Sequence, residues 1–159
     1  MTGKAKVALG CGIGGCLGVG LLALVAGFFF LDRITDEPKD VEVLVSVPAR
    51  VTRNEEFTIE VQVRNTGSSR RTLDSLDVAD EYLTGVAIRS SEPPYRDTMH
   101  VPIDNSYSYA FHTPIPPGNS LVVRFRAVGL KAGDHSGDVD VCVDWGGSCT
   151  SHPLRTMVE

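Results

Sequence analysis

The sequence predicts an all-β domain, an antiparallel sandwich of seven to eight strands, preceded by one transmembrane α-helix. Three observations predict it. Residues Val7 to Leu31 form an unbroken apolar run, long enough to cross a bilayer as a helix. From Val41 onward the hydrophobic period becomes two, the signature of half-buried strands. Turn signals rich in Gly, Pro and Asn separate these segments, and only a turn at Ala79 to Leu83 hints at helix.

The chain of 159 residues thus divides into a cytoplasmic tail, 1–6, a membrane helix, 7–31, a linker, 32–40, and one sandwich, 41–159. A cleaved signal peptide has a shorter apolar centre and a small-residue cleavage site, and neither is present. Cys16 follows Gly14-Gly15 as in a lipoprotein signal, yet fifteen further apolar residues follow it in place of a polar tether. An uncleaved anchor is therefore expected. Lys4 and Lys6 flank its short side, which places the amino terminus in the cytoplasm and the sandwich in the periplasm or outside the cell.

Within the helix, Gly10, Gly14 and Gly18 recur every four residues, and Gly12, Cys16 and Gly20 form a second row. Small residues at this spacing let another helix approach the backbone closely, whether a second copy or a different membrane protein. The stretch from Leu21 to Leu31 is bulky and suits lipid.

Charge follows the same division. Of the 15 basic residues two precede the run, which leaves 13 against 20 acidic residues beyond it, a net of −7. Such a surface excludes a phosphate-backbone partner, which needs clustered Lys and Arg.

The strands follow in order. Val41, Val43, Val45 and Val47 alternate with Glu42, Leu44 and Ser46, and Phe57, Ile59, Val61 and Val63 with Thr58, Glu60, Gln62 and Arg64. Weaker segments cover Leu73 to Val78 and Val86 to Arg89. Tyr107, Tyr109 and Phe111 alternate with Ser108, Ala110 and His112, and Leu121, Val123, Phe125 and Ala127 with Arg124 and Arg126. Val139, Val141 and Val143 oppose Asp138, Asp140, Cys142 and Asp144, before a last strand near Arg155 to Val158. This spacing fits an immunoglobulin-like layout.

The stretch from Glu56 to Arg64 followed by Asn65-Thr66-Gly67 resembles the opening of bacterial immunoglobulin-like surface modules of the CARDB type. Pro116-Pro117-Gly118-Asn119-Ser120 before an alternating strand, and Ala132-Gly133 before the next, are similar to the second half of such modules. The resemblance covers most of Val41 to Val143. It implies a stalk, adhesion or scaffold role and brings no catalytic residues. The chain departs from it by having a single copy and a long middle segment, Ser90 to Ser106.

Candidate chemistry is sparse. Cys142 and Cys149 flank a turn, and an oxidising compartment favours a disulfide between them; their spacing fits neither a C-x-x-C redox motif nor a zinc pair. Asp134, His135, Asp138, Asp140 and Asp144, with His152 beyond, place carboxylates as calcium would like them, but a solvated strand face is the simpler expectation. His100 and His112 stand in no nucleophile setting, and no Gly-x-Ser-x-Gly, His-Glu-x-x-His or phosphate loop is present. Pro93, Pro94 and Tyr95 open the longest irregular segment and are the candidate binding loop, with Tyr95 exposed and Tyr107 and Tyr109 in the core. The expectation is a non-catalytic, cofactor-free, metal-free protein that binds another membrane protein or its own copy. An adhesion or structural module, and a metal- or redox-linked protein, are the alternatives.

Overall fold

Alternation decides the strands. In β3 (Glu56–Asn65), Phe57, Ile59, Val61, Val63 and Asn65 turn inward while Thr58 and Arg64 stay in solvent. The computed structural model describes residues 40–146 and 148–159. The apolar run 7–31, with Gly10, Gly12, Gly14, Cys16, Gly18 and Gly20, lies outside them. Among the described residues no helix is long and apolar enough to cross a membrane.

Two sheets enclose the core. The smaller has the order β1 (Val41–Ser46), β3, β8 (Ser120–Gly129) and β5 (Val86–Glu92). The larger has the order β2 (Arg50–Val51), β10 (Cys149–Val158), β9 (Gly133–Val143), β4 (Arg71–Ala79), β7 (Ser106–Ile115) and β6 (Asp97–Val101). Pairing is antiparallel everywhere except β2 with β10. Pro48 lacks the N–H that a ladder needs, so the chain leaves β1 there and crosses to β2 in the other sheet. Phe111, Phe125, Ile59, Leu73, Leu76 and Leu154 are among the largest fully buried side chains.

There are ten strands among the described residues, where seven or eight were expected. The two extra are β2, too short to show a period, and β6, whose first four residues are all exposed and therefore alternate in nothing. The segment from Ser90 to Ser106 is consequently not one irregular stretch. Likewise β10 begins at Cys149 rather than near Arg155. Pro153 disguises it, and the strand tolerates Pro153 because β2 pairs only with Met157 and Val158, leaving that edge open.

The suspected turn at Ala79 is a single helical turn, α1 (Asp80–Leu83). It exists to plant Tyr82, which is fully buried with its hydroxyl 2.9 Å from the Thr156 hydroxyl of β10. Gly137 of β9 makes room, since a Cβ there would stand 3.0 Å from the Tyr82 Cβ. The solvated-face expectation fails at His135, which turns inward at 9% exposure and sets Nε2 2.7 Å from the Lys131 carbonyl. Its ring lies over Gly85, where any side chain would run into the imidazole.

Another buried polar side chain is structural in a different way. Asn65 is fully buried at the end of β3. Its amide donates to the carbonyls of Ser69 (2.8 Å) and Ile115 (2.9 Å), and its Oδ1 accepts from the Gly67 N–H (3.0 Å). Its backbone N–H donates to Asn119 and its carbonyl accepts from Gly118. The two turn motifs of the sequence therefore meet on one residue.

Asn65→Ala removes three hydrogen bonds and leaves the buried Ile115 carbonyl without a partner, so it is expected to lower unfolding stability by about 3 kcal/mol in urea denaturation. Asn65→Asp sets carboxylate oxygens against two carbonyls and is expected to cost more than the alanine change. An aspartate variant as stable as the wild type would show that the donors do not matter.

Candidate functional site

The larger sheet has two more strands than the smaller, and its edge strand β6 is exposed from Asp97 to His100. The inward row of β7 shows the transition. Phe111 and Tyr109 pack on Phe125 of the opposite sheet, with ring centroids 6.1 and 5.2 Å apart. Tyr107 continues the row 6.3 Å from Tyr109, but it is 39% exposed. His100 of β6, its register partner, follows at 5.4 Å. An aromatic row thus runs from the dry core into solvent.

Two bonds to Asp80 fix the hairpin. Its carboxylate meets His100 Nε2 at 2.7 Å, and its N–H donates to the Asn105 carbonyl at 2.8 Å. Asn105 has a positive φ of 49°, which Asn tolerates in a tight turn. Met99, on the opposite face of β6, is 63% exposed, and Ile103 in the turn is 88% exposed. Among the described residues β6 pairs only with β7, so its outer backbone groups face water.

The predicted binding loop borders this hairpin but is arranged differently from expectation. Pro94 is exposed, whereas Pro93, which follows a cis bond, and Tyr95 are half-buried. Tyr95 packs edge-on against Tyr109 at 5.3 Å, and the Ser91 hydroxyl binds both the Pro93 carbonyl and the Tyr95 N–H. The loop is pinned. Tyr107, expected in the core, is the more exposed of the two tyrosines. Sequence reasoning also missed Met99 and Ile103; the available signal was a short two-sided polar run between Pro94 and the Asp104-Asn105 turn.

Burial, to which Tyr95 and Tyr107 add, pushes the Tyr109 phenol up to about 12. Burial also raises Tyr82, against the pull of its bond to Thr156.

The other candidates separate. Cys142 and Cys149 face one another in the β9–β10 register, Cα atoms 4.1 Å apart, and are joined by a disulfide. Asp134 is held by Arg155 in a two-pronged pair, which lowers its pKa. Asp144, at φ 59°, accepts from the Thr72 N–H and from Arg71. Asp138 and Asp140 point outward on β9, and His152 Nε2 lies 3.1 Å from the Thr150 hydroxyl. His112 pairs with Asp74 where β4 and β7 slip register. Among the described residues no group of three or more His, Cys, Asp or Glu could hold a metal.

No protein-family model matches the chain, and no curated protein matches it. Among solved structures it is similar to a CARDB domain from Pyrococcus furiosus, 15% identical, covering 75% of this chain and 94% of that one at a TM-score of 0.48. It is also similar to AvmM, described as catalysing macrocyclization in alchivemycin A biosynthesis, 10% identical, covering 74% and 89% at a TM-score of 0.47. The first is of the type that the turn motifs resemble. Neither likeness says what this chain does.

Two measurements follow. Both buried phenols hold their protons more tightly folded than unfolded. Stability is therefore complete below about pH 10 and falls as pH rises from there toward about 12. Thermal melts across that range, with ultraviolet titration of the tyrosines, are expected to show the fall, and Tyr109→Phe to reduce it. Reduction of the denatured protein is expected to release two additional thiols, and Cys142→Ser with Cys149→Ser to cost about 2.5 kcal/mol, as the short loop implies.

Proposed function

We propose that the chain is a single-pass membrane protein whose sandwich is a non-catalytic binding module, an accessory subunit of a membrane assembly. Residues 7–31 are its anchor, and the domain stands outside the cytoplasm. The sandwich itself is immunoglobulin-like, a reading supported by the division of β1 and β2 between sheets and by the parallel β2–β10 pair. The disulfide supports an oxidising compartment.

The observation that carries the binding role is the exposed β6–β7 hairpin. It offers a partner an open strand edge for backbone pairing and three apolar anchors, Met99, Ile103 and Tyr107, held rigid by Asp80. The glycine rows at Gly10, Gly14 and Gly18 and at Gly12, Cys16 and Gly20 support a second contact, made within the bilayer.

Mild-detergent extraction of the full chain, with co-purifying proteins quantified, tests both contacts. Changing Met99 and Ile103 to Ser removes freely exposed side chains and is expected to leave the melting temperature nearly unaltered, whereas adding Tyr107→Ser also loses its ring contacts with Tyr109 and His100 and is expected to lower it by a few degrees. At about 1 kcal/mol for each anchor the triple change is expected to reduce partner recovery more than tenfold. Gly14→Leu with Gly18→Leu reports on the helix separately. Recovery of the protein alone and monomeric, with or without these changes, would defeat the subunit reading.

A further inference from the structure

The end of the sandwich where the chain enters carries a side chain that the fold does not use. Trp145, the only tryptophan of the protein, is 85% exposed. It stands at the tip of the β9–β10 hairpin, beside Gly146 with φ 68°. The stem beneath it is stiff. Cys142 and Cys149 are bonded, the Asp144 N–H donates to the Thr72 carbonyl at 2.8 Å, and Asp144 Oδ1 accepts from the Thr72 N–H at 2.9 Å.

Arg71 shows which end this is. Its guanidinium binds Asp144 at 2.9 Å and Asp40 at 3.2 Å. Asp40 immediately precedes β1, so the chain arrives within two ion-pair distances of the residue next to Trp145. Only eight residues, 32–39, separate Leu31 from Asp40, a reach of at most about 32 Å.

The charge at this end differs from that of the rest of the domain. The connections 66–70, 116–119 and 144–148, with Asp40 and Arg71, hold only Asp40 and Asp144 as acids, against Arg70 and Arg71. This end is therefore neutral in a segment whose net charge is −7. An anionic lipid surface would meet no net charge of its own sign there.

We propose that Trp145 is a second membrane contact, its indole seated in the interfacial layer of the bilayer that holds the anchor. The inference rests on the anchored reading above. An indole has an apolar body and one N–H donor, and that combination favours the layer where acyl chains meet headgroups. A disulfide-braced tip keeps the ring presented without the entropy of a loose loop. Two contacts, anchor and indole, fix the tilt of the domain where a tether alone leaves it free.

Because Trp145 is the sole tryptophan, its fluorescence reports on this site alone. The full chain is reconstituted in phosphatidylcholine vesicles, with and without bromine near the top of the acyl chains, and insertion is checked by flotation after an alkaline carbonate wash. Expected are a blue-shifted emission, loss of about half the intensity in brominated vesicles, and protection from acrylamide. Protein that floats but stays unquenched by bromine and open to acrylamide overturns the inference and leaves the anchor standing. A blue shift without bromine quenching means that protein covers the indole, and it overturns the inference too. Protein that does not float with the vesicles defeats the anchored reading itself.

Discussion

The carboxamide of Asn65 spans the two sheets. It leaves β3, in the four-stranded sheet, and donates to the Ile115 carbonyl of β7, in the six-stranded one. The same group closes the turn that leads into β4 through Ser69 and Gly67. The Ile115 carbonyl is buried and would otherwise stand unpaired, and no apolar residue can replace the amide without leaving it so. The spacing of the sheets at this end, and the course of both connections, therefore depend on one side chain. Arg71 starts β4 directly after the turn that Asn65 shapes, so the ion pairs to Asp40 and Asp144 inherit their geometry from it. The far end has its own tie, the buried Tyr82 hydroxyl at Thr156. Between these two polar fixtures the core is almost wholly apolar.

What could be read from the sequence follows from what was half-buried. β3, β8 and β9 have one face in the core and one in water, so their alternation is visible residue by residue. β6 has both faces in water, and β10 carries Ser151, His152 and Pro153, so neither shows a period. Asn65-Thr66-Gly67 and Pro116-Pro117-Gly118-Asn119 were both legible as turns. That they touch was not, because 50 residues separate Asn65 from Ile115 and a local pattern carries no information about that distance. The tyrosines show the same limit. Tyr107 and Tyr109 share a face, and what lies over each of them in the fold, which alternation does not record, decides that one is buried and the other wet. The sequence sets His135 among acidic neighbours, yet its ring lies inward over Gly85.

The unequal sheets have a physical consequence beyond exposure. A four-stranded sheet cannot cover six strands, so the larger sheet must end in a region with no partner layer. Polar side chains would make such a margin inert, as Asp97 and Thr98 do on part of β6. The aromatic row instead continues past the boundary through Tyr107 to His100, while Met99 on the opposite face of β6 and Ile103 in the turn add exposed apolar surface of their own. Rings packed on Phe125 at one end cannot easily collapse onto the surface at the other. The margin is thus rigid and apolar, the combination that lowers the entropy cost of binding.

The two ends of the domain are then suited to different surroundings. β7 runs from Ser106, beside α1 and the β6 turn, to Ile115, beside Asn65. Ten residues of strand separate those ends by about 30 Å. The neutral end with Asp40 and Trp145 is where the chain arrives, and the β6–β7 turn with Ile103 is at the other. In the proposed arrangement the sandwich acts as a spacer as much as a binder. It carries Ile103 clear of the headgroups, where the partner's soluble portion is within reach, while the carboxylates that give the domain its charge face water along the way. A spacer works only if it is stiff over its whole length. The ties at Asn65 and at Tyr82 provide that stiffness, one at each end.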